Sequence, residues 1–296
     1  MTTTSSRLAQ ADYSSLGGGP QPTEDYKPVR PISVTKNANP DWKYGQGATD
    51  NGSSLTKKHI EIDPYAPGRP MFHNYTLLIS GIVPRPIGLT STLSKDGKPN
   101  LAPFSYFQVV DHDPPVFVIG FSGRASGPKD TLKNLEETGE CVLNVVSEHM
   151  MEAVNATSLD APPGTSEWAI SGLYKAPSST VKPARVQESI FSIEGRLIQT
   201  VDYKTSRPSS GAHGKLAIIE GTRFWAREDA IDADGKHLDI DVLRPLGQLG
   251  DISYSRITDT FKLARSSWKA ATKEHGETLK ELARDGEGDK DEDKDS

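Results

Sequence analysis

Residues Pro84–Phe107 read PRPIGLTSTLSKDGKPNLAPFSYF, and this stretch decides the fold class. IGLTSTL mixes apolar, β-branched and hydroxyl residues in the manner of a strand. Asp96-Gly97 supplies a turn, and NLAPFS resumes an extended run. Pro103 has no N–H to give to a ladder. It is expected to break the pairing and free neighbouring backbone groups to meet something other than a strand; a kinked edge strand is the plainer alternative.

Outward from this hairpin, YTLLISGIV, PFSYFQVV, VFVIGFS, CVLNVVS, SIFSIEGRLIQTV and KLAIIEGTRFWA are short apolar runs bounded by Gly, Pro and Asp. So many strand-like runs with few helices predict a mainly β body, a barrel or a sandwich. A helix is expected in SGPKDTLKNLEETG, with Pro128 in its first position, Asp130 in its first turn and Gly139 at its stop. Others are expected in SEHMMEAVNATS and from Thr165 in GTSEWAISGL. A last helix is expected over 258–284, where Phe261, Ala264, Trp268 and Ala271 recur at three- and four-residue spacing.

The body, residues 71–257, is flanked by two different ends. Residues 1–70 are rich in Ser, Thr, Gly and Pro and are expected to be a disordered or wrapping arm. Trp42, Tyr44 and Tyr65 could dock it on the body or on a second subunit. Residues 258–296 combine the last helix with an acidic, solvated tail. The chain's net charge is −6, of which DGEGDKDEDKDS at 285–296 carries −5, so the rest is nearly neutral. No basic surface of the kind nucleic acid requires is indicated. Mean hydropathy is −0.54. There is neither a run of about 18 apolar residues nor a signal pattern, which predicts a cytoplasmic protein without a membrane partner.

The familiar catalytic constellations are missing. The seven histidines show no paired ligand spacing, and no metal site is expected. G-x-S-x-G, G-x-G-x-x-G and the Walker pattern are absent. The single cysteine, Cys141, lies in an apolar run and reads as a small buried hydrophobe. Chemistry, if present, belongs to a bound cofactor. FSGRASGPKDT at 121–131 is a Gly-rich loop entering a helix. It offers Arg124, Lys129, Thr131 and free helix N–H groups to an anion.

In this order, PRPIGLTSTLSKDGKPNLAPFSYF, DPPVFVIGFS, KDTLKNLEETGECVLNVV, SEWAISGL, SIEGRL and LRPLGQLGDISY resemble the flavin reductase-like family of FMN-binding split-barrel proteins. The blocks span about Tyr75 to Tyr254, roughly two-thirds of the chain. The resemblance implies a six-stranded antiparallel Greek-key split barrel and a homodimer with FMN near the subunit boundary. It implies that Ser91 and Thr92 bond the FMN phosphate or ribityl chain, and that Asn100, Ala102, Pro103, Phe104 and Ser105 line the ring, largely through backbone. Arg124, Lys129 and Thr131 complete the phosphate site, Asp130 caps its helix, and Tyr254 lies near the cofactor. Where the family often reads Arg-Leu-Gly-Gly, this chain has Gln248-Leu249-Gly250-Asp251. The implied activity is hydride transfer from NAD(P)H to FMN with onward transfer to an unidentified acceptor. The alternative is an FMN-binding electron carrier or storage protein without efficient NAD(P)H oxidation. Glu194 is a candidate for a buried structural hydrogen bond, and Trp168 and Trp225 for core or interface packing.

Overall fold

The computed structural model describes residues 24–28, 31–124, 126–159, 161, 165–203 and 213–285. The first 23 residues of the arm, expected to be disordered or wrapping, and the acidic tail from 286, expected to be disordered, lie outside them. The strands in chain order are β1 (Ser33–Thr35), β2 (Arg85–Pro86), β3 (Gly88–Leu93), β4 (Pro99–Phe104), β5 (Phe107–His112), β6 (Pro115–Phe121) and β7 (Glu140–Val145). They continue with β8 (Lys175–Ala176), β9 (Arg185–Val186), β10 (Phe191–Asp202), β11 (Lys215–Ala226), β12 (Leu246–Gln248), β13 (Tyr254–Arg256) and β14 (Asp259–Phe261). The helices are α1 (Met71–Gly81), α2 (Asp130–Thr138), α3 (Met151–Ala156), α4 (Glu167–Ser171), α5 (Ile240–Leu243) and α6 (Trp268–Asp285).

The main sheet is antiparallel and runs β4-β3-β7-β10-β11-β6-β5. Its edge strands, β4 and β5, are joined by only Ser105 and Tyr106. Edges linked by two residues must meet, so the sheet curls into a barrel. Gly88 on β3 makes room for this closure, since a Cβ there would lie 2.9 Å from the Phe107 ring. The barrel is mainly β as expected, with seven strands where six were implied. The run PFSYFQVV, read as one strand, bends at Ser105-Tyr106 and contributes to both edges.

Pro103 does not break the ladder. β3 and β4 pair without a shift from Gly88↔Phe104 to Leu93↔Pro99. The N–H of Leu101 leaves the ladder for Glu167 Oε2 at 3.4 Å. By alternation Pro103, two residues on, also faces the open edge, where no donor is needed. Asp96-Gly97 is the expected turn, with Gly97 at φ 77° and its N–H on Ser94 O.

Two cores lie on opposite faces of this hairpin. Phe104, Phe117, Ile119, Phe121, Leu143, Ile193 and Ile219 fill the barrel with Leu132 and Leu135 of α2. Leu89, Leu101, Val146, Met150, Val154 and Trp168 form the second, under α3 and α4. Cys141 is fully buried, and burial, with Glu140 beside it, pushes its thiol up to about 12.

Several helix boundaries differ from expectation. YTLLISGIV forms part of α1, not a strand; an apolar run this short fits either period. Arg85 decides the matter by donating to the Ile79 and Ile82 carbonyls at the helix end. α2 begins at Asp130, with Lys129 as its N-cap, so Pro128 lies outside it. α4 begins at Glu167 behind Ser166, whose hydroxyl accepts from the Ala169 N–H. α6 begins at Trp268 because Ser267 caps it, its Oγ accepting from Ala270 N. Phe261 belongs instead to β14.

Glu194 is a buried structural acid, as read from the sequence. It is 0% exposed and accepts from Ser179 N, Thr180 N, Thr180 Oγ1 and Trp225 Nε1. Burial raises its pKa, but these donors outweigh burial and hold it at about 2. Arg185 stacks on Trp225, 3.8 Å from the ring centroid. The carboxylate thereby ties the 178–186 segment to β10 and β11.

The chain divides into two compact units. The first holds the barrel, residues 68–257, together with 24–28, where the Tyr26 ring lies 4.9 Å under Arg256. The second combines residues 31–67 with 258–285. In it β1 and β14 pair in parallel, Tyr44 meets Trp42 and His275 edge-on, and Gly45 abuts Leu282. Among the described residues no helix is long and apolar enough to cross a membrane, and no cluster of His, Cys, Asp or Glu could hold a metal ion.

Candidate functional site

Thr92 and Asn100 face each other in register on β3 and β4. Thr92 Oγ1 accepts from Asn100 Nδ2 at 3.3 Å and from Asn134 Nδ2 at 3.0 Å, while Asn100 Nδ2 also donates to Thr131 Oγ1 at 2.9 Å. All four residues are buried. Asn134 was not anticipated; its signal was the three-residue spacing from Thr131, which puts both on one face of α2. The network pins the start of α2 to the hairpin.

That start is rich in donors. The first intrahelical bond runs from Lys133 N to Lys129 O, leaving the N–H groups of Asp130, Thr131 and Leu132 outside the helical ladder. The side chain of the N-cap residue, Lys129, does not cap them. Lys129 Nζ lies 5.1 Å from the centroid of the Phe104 ring, which packs edge-on to Phe121. Arg124, half-buried, lies in the loop that leads to the helix. The hydroxyls of Thr92 and Thr131 accept from amides, and neither proton has an acceptor among the described residues.

Ser91 points the other way, because side chains alternate along a strand. Its Oγ donates to Ala184 O at 2.5 Å. Tyr254 packs against the second core, on the side of Leu89 and Leu101. The structure therefore brings Thr92, Asn100, Phe104, Lys129 and Thr131 together and sets Ser91 and Tyr254 apart. Ala102 faces the barrel with Phe104, and Pro103 lies on the open edge of β4.

Ser105 occupies the corner where β4 gives way to β5. Arg85, which sequence reasoning passed over, reaches it: Nε donates to Ser105 Oγ at 3.3 Å, and Nη2 donates to Leu249 O at 2.9 Å. Gln248 lies opposite Arg85 in the β12–β2 pair. Asp251 stands at φ 58°, a left-handed position that suits the glycine the family often has there.

The flavin reductase like domain model matches residues 80–241, more than half of the chain. The chain belongs to this family. An uncharacterized protein of Halalkalibacterium halodurans is 36% identical over 196 residues, 65% of this chain and 90% of that protein. One of Aquifex aeolicus is 37% identical over 191 residues, 64% of this chain and 92% of its own length. Among solved structures, nitrilotriacetate monooxygenase component B from Bacillus cereus matches with a TM-score of 0.65 and 27% identity, over 70% of this chain and all of that one. Pseudomonas fluorescens 2-nitrobenzoate 2-nitroreductase NbaA matches with a TM-score of 0.61 and 29% identity, over 71% and 98%. The flavin reductase-like relationship thus covers the barrel, with its hairpin, corner and α2 site.

Proposed function

We propose that this flavin reductase-like protein binds FMN and acts as an oxidoreductase that takes a hydride from NAD(P)H and passes the electrons to an onward acceptor. The observation that carries the reading is the surplus of donors at the start of α2. Three helix N–H groups lie there beside Lys129, next to the Thr131 and Thr92 hydroxyls, a set that suits the dianionic phosphate of FMN. A neutral or cationic ligand would leave those donors unmatched. Bound FMN would supply the redox chemistry, which accords with the missing acid–base constellation.

The chain's own residues then divide the work. Lys129, Arg124, Thr131 and the first turn of α2 hold the phosphate, with Thr92 as a hydroxyl donor. Asn100 fixes Thr92 and Thr131 in register. Ala102, Pro103, Phe104 and Ser105 form the wall for the ring, the open edge of β4 offering backbone groups. Ser91 has its proton committed to Ala184, so of the adjacent pair Thr92 carries the phosphate role. Tyr254 closes the second-core side; burial raises its phenol pKa, keeping it protonated at neutral pH. A homodimer fits the exposed apolar residues Leu77, Leu78 and Ile82 at α1 and Val109 and Val110 on edge strand β5.

Anaerobic mixing of the FMN-loaded protein with NADH and with NADPH tests the reading. Loss of the visible flavin band with either nucleotide is the expected result. A flavin that stays oxidised with both would leave the electron-carrier reading, which the Gln248-Leu249-Gly250-Asp251 departure favours. Failure to take up FMN at all would overturn both.

A further inference from the structure

Two arginines of the barrel unit are only 7% exposed, and they are not equivalent. Arg244 is paired with Glu148 at 3.0 Å. Arg85 meets no carboxylate among the described residues; its acceptors are three carbonyl oxygens and the Ser105 hydroxyl. Burying a cation without a counter-charge is costly. The bonds to Ile79, Ile82 and Leu249 tie the end of α1 to the turn after β12, a structural task. The bond to Ser105 adds something different.

A guanidinium only donates, so Ser105 Oγ must accept from Arg85, and its own hydrogen is directed elsewhere. That hydrogen has no acceptor among the described residues. Ser105 is half-buried at the barrel corner, directly after the strand read as the flavin wall. A positive charge behind a hydroxyl polarises it toward stronger donation.

We propose that Arg85 is a positioning residue that makes Ser105 a fixed, polarised hydrogen-bond donor toward the FMN ring, and so favours the reduced, more negative flavin over the oxidised one. The inference rests on the FMN-binding reading. It assigns the Ser105 side chain to an acceptor atom of the ring, not to a ring N–H, and it gives the buried charge a redox consequence.

The test uses the full chain loaded with FMN and measures the flavin reduction potential against a reference dye, with the dissociation constant for oxidised FMN measured alongside. Ser105→Ala should lower the preference for reduced over oxidised flavin about tenfold, which is about 30 mV more negative for a two-electron couple. Arg85→Met should shift the potential in the same direction, and the double variant should go no further, because both changes remove one device. A purely structural Arg85 would lower thermal stability and leave the potential at the wild-type value. If Arg85→Met does not fold, Ser105→Ala decides, since it leaves the three carbonyl bonds intact. Wild-type potentials in the variants, or shifts that add, overturn the inference while FMN binding stands. A wild-type protein that takes up no FMN overturns the binding reading and the inference with it.

Discussion

The barrel holds two buried polar clusters that look alike in composition and differ in what they leave over. Around Glu194, two backbone N–H groups, two hydroxyls and an indole N–H all converge on one carboxylate. Donors and acceptor are matched, and the cluster ties a loop to β10 and β11. Around Thr92, amides and hydroxyls satisfy one another while two hydroxyl protons and the first N–H groups of α2 remain as donors. A matched cluster holds the fold together. Under the proposed function, the surplus donors of the second cluster meet the phosphate of FMN.

The comparison can be broken first at Glu194. Glu194→Ala leaves the Ser179, Thr180 and Trp225 donors without their acceptor and should cost about 3 kcal/mol in urea unfolding, with little change in FMN affinity once folded. The pH dependence has a definite sign. The folded pKa, about 2, lies below the ordinary value of 4.5, so the stabilisation is complete above about pH 4.5 and fades as the pH falls toward 2. Across that window the wild type should lose about 3 kcal/mol relative to Glu194→Gln. Parallel acid-unfolding curves for the two proteins would show that the carboxylate is not specially held.

At the other cluster the effects should move from stability to binding. Lys129→Ala should weaken FMN affinity by about 1.5–3 kcal/mol, read by fluorescence titration, with an unchanged unfolding midpoint. Equal affinity in variant and wild type would remove Lys129 from the phosphate site. Asn134→Ala deletes one bond to Thr92 and should cost about 1 kcal/mol of stability with a smaller loss of FMN affinity. The smallest effect is at Cys141. Its thiol, pushed up to about 12, should resist thiol reagents at neutral pH until the protein is unfolded.

The legible and illegible parts of the molecule separate along physical lines. β3, β6, β7, β10 and β11 were readable because β-branched and aromatic residues crowd runs bounded by Gly, Pro and Asp. The Gly97 turn and the Gly139 helix stop were readable because both need positive φ. α1 was not, since its apolar residues fit either period and its end is held by Arg85 from outside the segment. α6 was placed too early because Phe261 and Ala264 fell on the helical period while Ser267 set the true start. At the site, Thr92, Asn100 and Thr131 were legible as polar residues in revealing places. Asn134, Glu167 and Arg85 were missed because their partners are 42, 66 and up to 164 residues away in the chain.

By itself the sequence determined a mainly β body, a hairpin at 88–104, a helix entered through a Gly-rich basic loop, and a buried lone cysteine. Each follows from local chemistry: propensity, turn geometry, or the absence of a partner in the chain. Only the tertiary structure decided that Pro103 sits harmlessly on an edge and that Ser91 and Thr92 face opposite cores. It alone showed that the arginine of PRPIGL reaches the corner at Ser105. Those outcomes depend on which strand lies beside which and on where the sheet closes, and closure is a property of the whole barrel that no single segment carries.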